Sequence, residues 1–104
     1  MKEKAIENQI KKCLSSMGKN VWYFKHAASP AMKKGIPDII ACIKGHFIGI
    51  EVKQANGRQS EEQKVCEQNI LSAGGEYWLV FSYAEFVDKF NIFARRIKNE
   101  RSSS

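Results

Sequence analysis

Three charged residues stand where the strand sequence is otherwise apolar. Asp38 opens the run Asp38-Ile39-Ile40-Ala41-Cys42-Ile43, and Glu51 and Lys53 close the run His46-Phe47-Ile48-Gly49-Ile50-Glu51-Val52-Lys53. Withdrawing ions from water is costly unless they are paired or bind a metal. Two carboxylates and a lysine so placed suit metal-assisted hydrolysis of a phosphodiester. That reaction needs a cation to neutralise the phosphate and an activated water in line with the leaving oxygen. Mg²⁺ prefers oxygen ligands and keeps several waters, so two carboxylates and a carbonyl are enough. Asp38 and Glu51 offer the carboxylates, and the backbone carbonyl of Val52 can add a third oxygen. Lys53 can orient or deprotonate the water, or stabilise charge developing on the phosphate oxygens. No Ser/His/Asp or Cys/His arrangement competes, and no Gly-rich phosphate loop precedes a helix.

These residues need elements that hold them together. Lys44-Gly45 is a tight-turn signal between the two apolar runs, which predicts an antiparallel hairpin. Asp38 and Glu51 then lie at its open end. Period-two geometry places Phe47, Gly49, Glu51 and Lys53 on one face and Ile48, Ile50 and Val52 on the other. Both faces of both strands read as apolar, so both strands are expected to be central and covered.

Residues 3–17 read as a helix, with Ile6, Ile10, Cys13, Leu14 and Met17 in one stripe and Gly18 as its stop. Glu7 falls on that stripe and is a candidate site carboxylate, with Glu3 as its competitor. The bland alternative for Glu7 is a carboxylate stabilised by the helix N-terminus. Residues 21–26 read as an aromatic, β-branched strand. The loop after it holds two prolines, a glycine and small residues, which allow close approach to a ligand. Lys33, Lys34, His26 and Ser29 are its candidate DNA-phosphate contacts. A solvated connection and a satisfied strand-end histidine are the plainer readings.

Ser60-Glu61-Glu62-Gln63 opens a second helix with a Ser-x-x-Gln capping box, and the helix runs to about Ala73. Gln63 is a candidate site residue, although the cap alone accounts for it. Gly74-Gly75 ends the helix, and residues 76–81 form a fourth strand. Ser82-Tyr83-Ala84-Glu85 caps a final helix with Phe86, Phe90, Ala94 and Ile97 on one stripe. The polar tail, 99–104, is expected to fray. The order is α-β-β-β-α-β-α, an α/β domain with a single mixed β-sheet flanked by helices, spanning 1–104.

Bulk composition narrows the class. A chain of 104 residues supports one core. Its 17 Lys and Arg against 11 Asp and Glu give a net charge of +6, which points to a polyanionic partner. No apolar run reaches membrane-spanning length, and the N-terminus lacks a secretory apolar segment. A basic amphipathic helix for an anionic membrane is also missing. Cys13, Cys42 and Cys66 are scattered through apolar-periodic segments, and read as small core residues in a reducing compartment.

Gly35-Ile36-Pro37-Asp38, Ile50-Glu51-Val52-Lys53 and Ser60-Glu61-Glu62-Gln63, followed by Gly74-Gly75 and an aromatic-aliphatic strand, resemble the PD-(D/E)xK nuclease superfamily. The resemblance is closer to its VRR-NUC branch and covers roughly residues 3–85. Glu7 stands where the first-helix glutamate of that branch, and of archaeal-type Holliday junction resolvases, is expected. The branch's Val-Arg-Arg signature has at best Phe93-Ala94-Arg95-Arg96 as its counterpart, and nothing is carried over there. The resemblance implies a restriction-endonuclease-like core in which Asp38 and Glu51 bind Mg²⁺, with Mn²⁺ as a substitute. Lys53 is then catalytic, and Glu7 and Gln63 complete the site. It also implies a stand-alone enzyme of phage or bacterial type, acting in the cytoplasm as a homodimer on branched DNA such as four-way junctions. Phe86, Phe90 and Phe93 read first as core residues, and second as candidates for the dimer interface. A weakly selective duplex, flap or nicking nuclease, or a non-catalytic DNA-binding subunit of a repair assembly, are the other readings.

Overall fold

A computed structural model describes residues 2–27 and 29–102. The elements follow in the order α1 (Glu3–Ser15), a 3₁₀ turn (Gly18–Asn20), β1 (Val21–Lys25), β2 (Ile39–Ile43), β3 (His46–Val52), α2 (Glu61–Ser72), β4 (Glu76–Val80) and α3 (Tyr83–Ser102). The four strands form one mixed sheet in the order β1-β2-β3-β4. β1, β2 and β3 are antiparallel neighbours, and β4 joins β3 in parallel after the α2 crossover. This is the expected order and architecture.

The hairpin turns where expected. Lys44 and Gly45 both have positive φ (50° and 86°), the backbone of a two-residue turn that matches strand twist. Ile39 pairs with Ile50 and Ile43 with His46. That register brings the start of β2 beside the end of β3.

One side of the sheet carries the core. Ile39, Ala41, Ile43, Ile48, Ile50, Val52, Trp78 and Val80 are buried with Ile6, Ile10 and Leu14 of α1 and Phe86, Phe93 and Ile97 of α3. The other side is covered by α2, none of whose residues is fully buried. Ile70 packs over Gly49 and Gly75 there. The expected cover on both faces is therefore incomplete. Cys42 is exposed rather than in the core, and Trp22, Phe24 and Phe47 are 63%, 42% and 44% exposed. α2 is too short and too polar to reach across β1 and β2.

Phe86 and Phe93 lie in the core and Phe90 packs against it, so these rings do not offer a free surface. The α3 backbone takes in residues 99–102 of the polar tail. That stretch holds neither Gly nor Pro, and His46 Nε2 lies 4.0 Å from Glu100 Oε2. Residues 103–104, the end of the expected tail, lie outside the described residues. No helix among the described residues is long and apolar enough to cross a membrane.

Candidate active site

Asp38 is placed by the loop that precedes it. Gly35 has φ of 88°, and a Cβ there would collide with the backbone carbonyl of Glu62, so only glycine brings this loop against the start of α2. Pro37 is buried over Gly49, where an added Cβ would lie 2.8 Å from Pro37 Cγ. The room left by Gly49 is thus filled by the protein's own proline. Asp38 is locked on both sides: its carbonyl accepts from His26 N–H at 2.8 Å, and its Oδ2 accepts from Val52 N–H at 2.8 Å.

Glu51 sits one residue from that same N–H and is only 2% exposed. Its Oε2 accepts from Gln63 Nε2 at 2.9 Å and faces Lys53 Nζ at 3.5 Å. Its Oε1 is buried with no hydrogen-bond partner among the described residues. Burial first, and then the nearby Asp38 carboxylate, raise the Glu51 pKa from 4.5 to about 7, against the opposing pull of Lys53. An orphaned carboxylate oxygen beside a second acid is what a hard cation would relieve.

Gln63 caps its helix as expected and also reaches Glu51. Its Oε1 accepts from Ser60 N–H at 2.8 Å, while Ser60 Oγ accepts from Gln63 N–H at 3.1 Å, so the capping box is complete. Its amide nitrogen remains for Glu51. A carboxylate at this position could cap the helix but could not donate.

Glu7 approaches from α1 and is 8% exposed. Its Oε1 is 3.3 Å from Lys25 Nζ, which also lies 3.7 Å from Asp38 Oδ1. The competitor Glu3 lies apart from this pair, where its Oε2 accepts from Gln54 N–H at 3.4 Å. Five residues thus meet at the sheet end, with Glu7 and Lys25 on the α1 side, Glu51 and Gln63 on the α2 side, and Asp38 between them. Lys53 closes the group through Glu51.

Lys25 is the member that the sequence reading missed. The signal was present, since Val21, Tyr23 and Lys25 share one strand face and Lys25 pairs with buried Ile39. A charge in register with apolar neighbours is the same pattern that singled out Asp38 and Glu51.

The loop candidates lie nearby without joining the carboxylates. His26 contributes backbone groups, its N–H to Asp38 and its carbonyl to Lys25 Nζ at 3.2 Å. Ser29 is exposed, and its carbonyl accepts from Met32 N–H. Lys33 and Lys34 are exposed and flank a shallow depression against α2 with Glu61, Glu62, Val65, Cys66 and Asn69.

Among the described residues, no cluster of three His, Cys, Asp or Glu side chains is arranged to hold a metal ion. The donor set that fits is smaller. Asp38 and Glu51 each commit one oxygen to fixed donors, leaving Asp38 Oδ1 and Glu51 Oε1 for a cation.

Residues 1–79 match the family model described as archaeal Holliday junction resolvase (Hjc). The chain belongs to the Hjc family. A solved structure titled VRR_NUC domain is similar at a TM-score of 0.67 and 21% identity, over 84% of this chain and 90% of that one. At that identity the likeness is one of fold, and the fold is the mixed four-stranded sheet described above. No curated protein matches. Hjc-family chains are PD-(D/E)xK nucleases, a superfamily that generally uses divalent metals, and the matched segment of this one contains Glu7, Lys25, Asp38, Glu51, Lys53 and Gln63.

Proposed function

We propose that this Hjc-family protein is a Mg²⁺-dependent endodeoxyribonuclease that cuts branched DNA, with the four-way junction as its preferred substrate. The observation that carries the reading is the orphaned, buried Oε1 of Glu51 beside the Asp38 carboxylate, with Lys53 3.5 Å from the other Glu51 oxygen. Asp38 Oδ1, Glu51 Oε1 and the carbonyl of Val52 are the groups that would hold Mg²⁺ or Mn²⁺. Such an ion, when bound, neutralises the scissile phosphate and acidifies water.

The remaining chemistry belongs to the side chains. Gln63 holds the Glu51 carboxylate in one orientation. Lys53 presents its ammonium to the nucleophilic water or to a non-bridging phosphate oxygen. Lys33, Lys34, His26 and Ser29 contact the flanking phosphates, in keeping with a net charge of +6. Two strands of a junction must be cut, and one chain has one site, so the working form is a C₂ homodimer. Its setting is the cytoplasm.

End-labelled four-way junction, flap and linear duplex, each incubated in Mg²⁺ or EDTA, test this. Cutting of the junction in Mg²⁺ alone is expected, and both Asp38→Ala and Lys53→Ala should slow it by roughly 10³-fold. Binding without cutting in either Mg²⁺ or Mn²⁺ would reject the enzyme in favour of a DNA-binding module. Equal cutting of all three substrates would keep the nuclease and remove the junction preference. A sedimentation profile that stays monomeric with and without junction would reject the dimer.

A further inference from the structure

Lys25 has a place in the site that the nuclease reading leaves unexplained. Three oxygens converge on its ammonium: Glu7 Oε1 at 3.3 Å, Asp38 Oδ1 at 3.7 Å and the His26 carbonyl at 3.2 Å. They come from α1, from the residue that opens β2 and from the end of β1. Asp38 Oδ2 is already tied to Val52 N–H. Oδ1 is therefore the oxygen that an ion between Asp38 and Glu51 would use, and it is the one that faces Lys25.

We propose that Lys25 is a tethered competitor of the divalent ion: its ammonium holds Glu7 and Asp38 together and gives up Asp38 Oδ1 when the ion binds. This rests on the metal-dependent nuclease reading. The geometry permits the exchange, because the Lys25 side chain is 37% exposed at the end of an edge strand. A long, flexible ammonium can swing toward solvent, the side from which a phosphate arrives.

Charge supplies the purpose. Glu7, Asp38 and Glu51 face Lys25 and Lys53, so the ionised group carries one net negative charge. A divalent ion reverses that sign, and a phosphodiester then restores neutrality. Lys25 thereby makes the site a poor holder of metal alone and a better holder of metal with DNA. It acts as a positioning residue, through the carboxylates.

Mn²⁺ alone, titrated at pH 8 with free ion read by electron paramagnetic resonance, tests the proposal without any cleavage assay. Lys25→Met should bind Mn²⁺ roughly three- to tenfold more tightly than wild type, because a repelling charge is gone. Lys25→Arg keeps the charge and should stay within about twofold of wild type. Metal-free Lys25→Met should melt below wild type, and saturating Mn²⁺ should close the gap. Asp38→Asn should remove the binding in every background. If wild type binds Mn²⁺ and Lys25→Met binds it equally or more weakly, the role of Lys25 is rejected and the nuclease reading stands. If no protein binds Mn²⁺, or binding survives Asp38→Asn, both are overturned.

Discussion

The two sides of the sheet are built on opposite terms. The side under α1 and α3 is closed with aliphatic and aromatic side chains, and its strand residues are almost all buried. The side under α2 has a helix with no fully buried residue, exposed rings on β1 and β3, and a carboxylate buried at its edge. Stability is concentrated on that closed side, where Glu7 at the edge of α1 is the one buried charge among the described residues. The candidate site lies at the sheet end, where the two sides meet and where Glu51 is withdrawn from water without full hydrogen-bonding. Such a division lets the fold tolerate an unfavourable site, since α1 and α3 hold the sheet whatever happens at Asp38 and Glu51.

The strongest way to break this contrast is on the closed side. Phe86 is fully buried, with ring centroids of Trp78 and Tyr83 both 5.9 Å away. Phe86→Ala should cost about 3–5 kcal/mol, read as a fall in urea midpoint with little change in m-value. Asp38→Ala, on the site side, should leave the midpoint far closer to wild type. Equal losses would mean that the site carboxylates contribute to the fold as strongly as the core does.

The next effect has the opposite sign. The Glu51 pKa is raised from 4.5 to about 7 in the folded chain. The folded state therefore keeps a proton that the unfolded state has lost between those values. Stability attributable to Glu51 is full below pH 4.5 and declines as pH rises toward 7, by about 3 kcal/mol in all. Glu51→Gln abolishes this titration. In metal-free buffer its stability advantage over wild type should widen by about that amount between pH 4 and pH 8, while cleavage is lost. Melting curves at both pH values decide it. A constant difference would show that Glu51 carries no burial penalty.

The same contrast explains what could be read from the sequence. Elements were legible because their signals are local: the Lys44-Gly45 turn, the Ser60–Gln63 cap, the period of Ile6, Ile10 and Leu14. Asp38, Glu51 and Lys53 were legible as candidates because charge in apolar strand sequence is conspicuous. Lys25 escaped because its stem belongs to an aromatic strand and its partners lie far away in sequence. Its contacts with Glu7 and Asp38 form only when the fold brings those carboxylates together. The uncovered rings were also hidden, since an apolar residue does not announce whether the opposing helix is long enough to reach it. Trp22 and Phe86 look alike in the chain and lie at opposite extremes of exposure.

Gln63 offers the finest separation of fold from site, because its two ends serve different masters. Ser60→Ala removes the acceptor for Gln63 N–H but leaves the Gln63 amide on Glu51. It should cost about 1 kcal/mol and preserve cleavage. Gln63→Glu keeps an acceptor for Ser60 N–H, yet sets a second carboxylate against Glu51 Oε2 where a donor stood at 2.9 Å. Its helix should remain capped, while like-charge repulsion drives the Glu51 pKa further upward and cleavage falls at neutral pH. That loss should recover in part as pH is raised and Glu51 ionises. Measuring urea midpoints and junction cleavage for both variants, from pH 7 to pH 9, separates the two ends. If Ser60→Ala lost activity as severely as Gln63→Glu, the amide would be only a helix cap and the α2 side would contribute no positioning to the site.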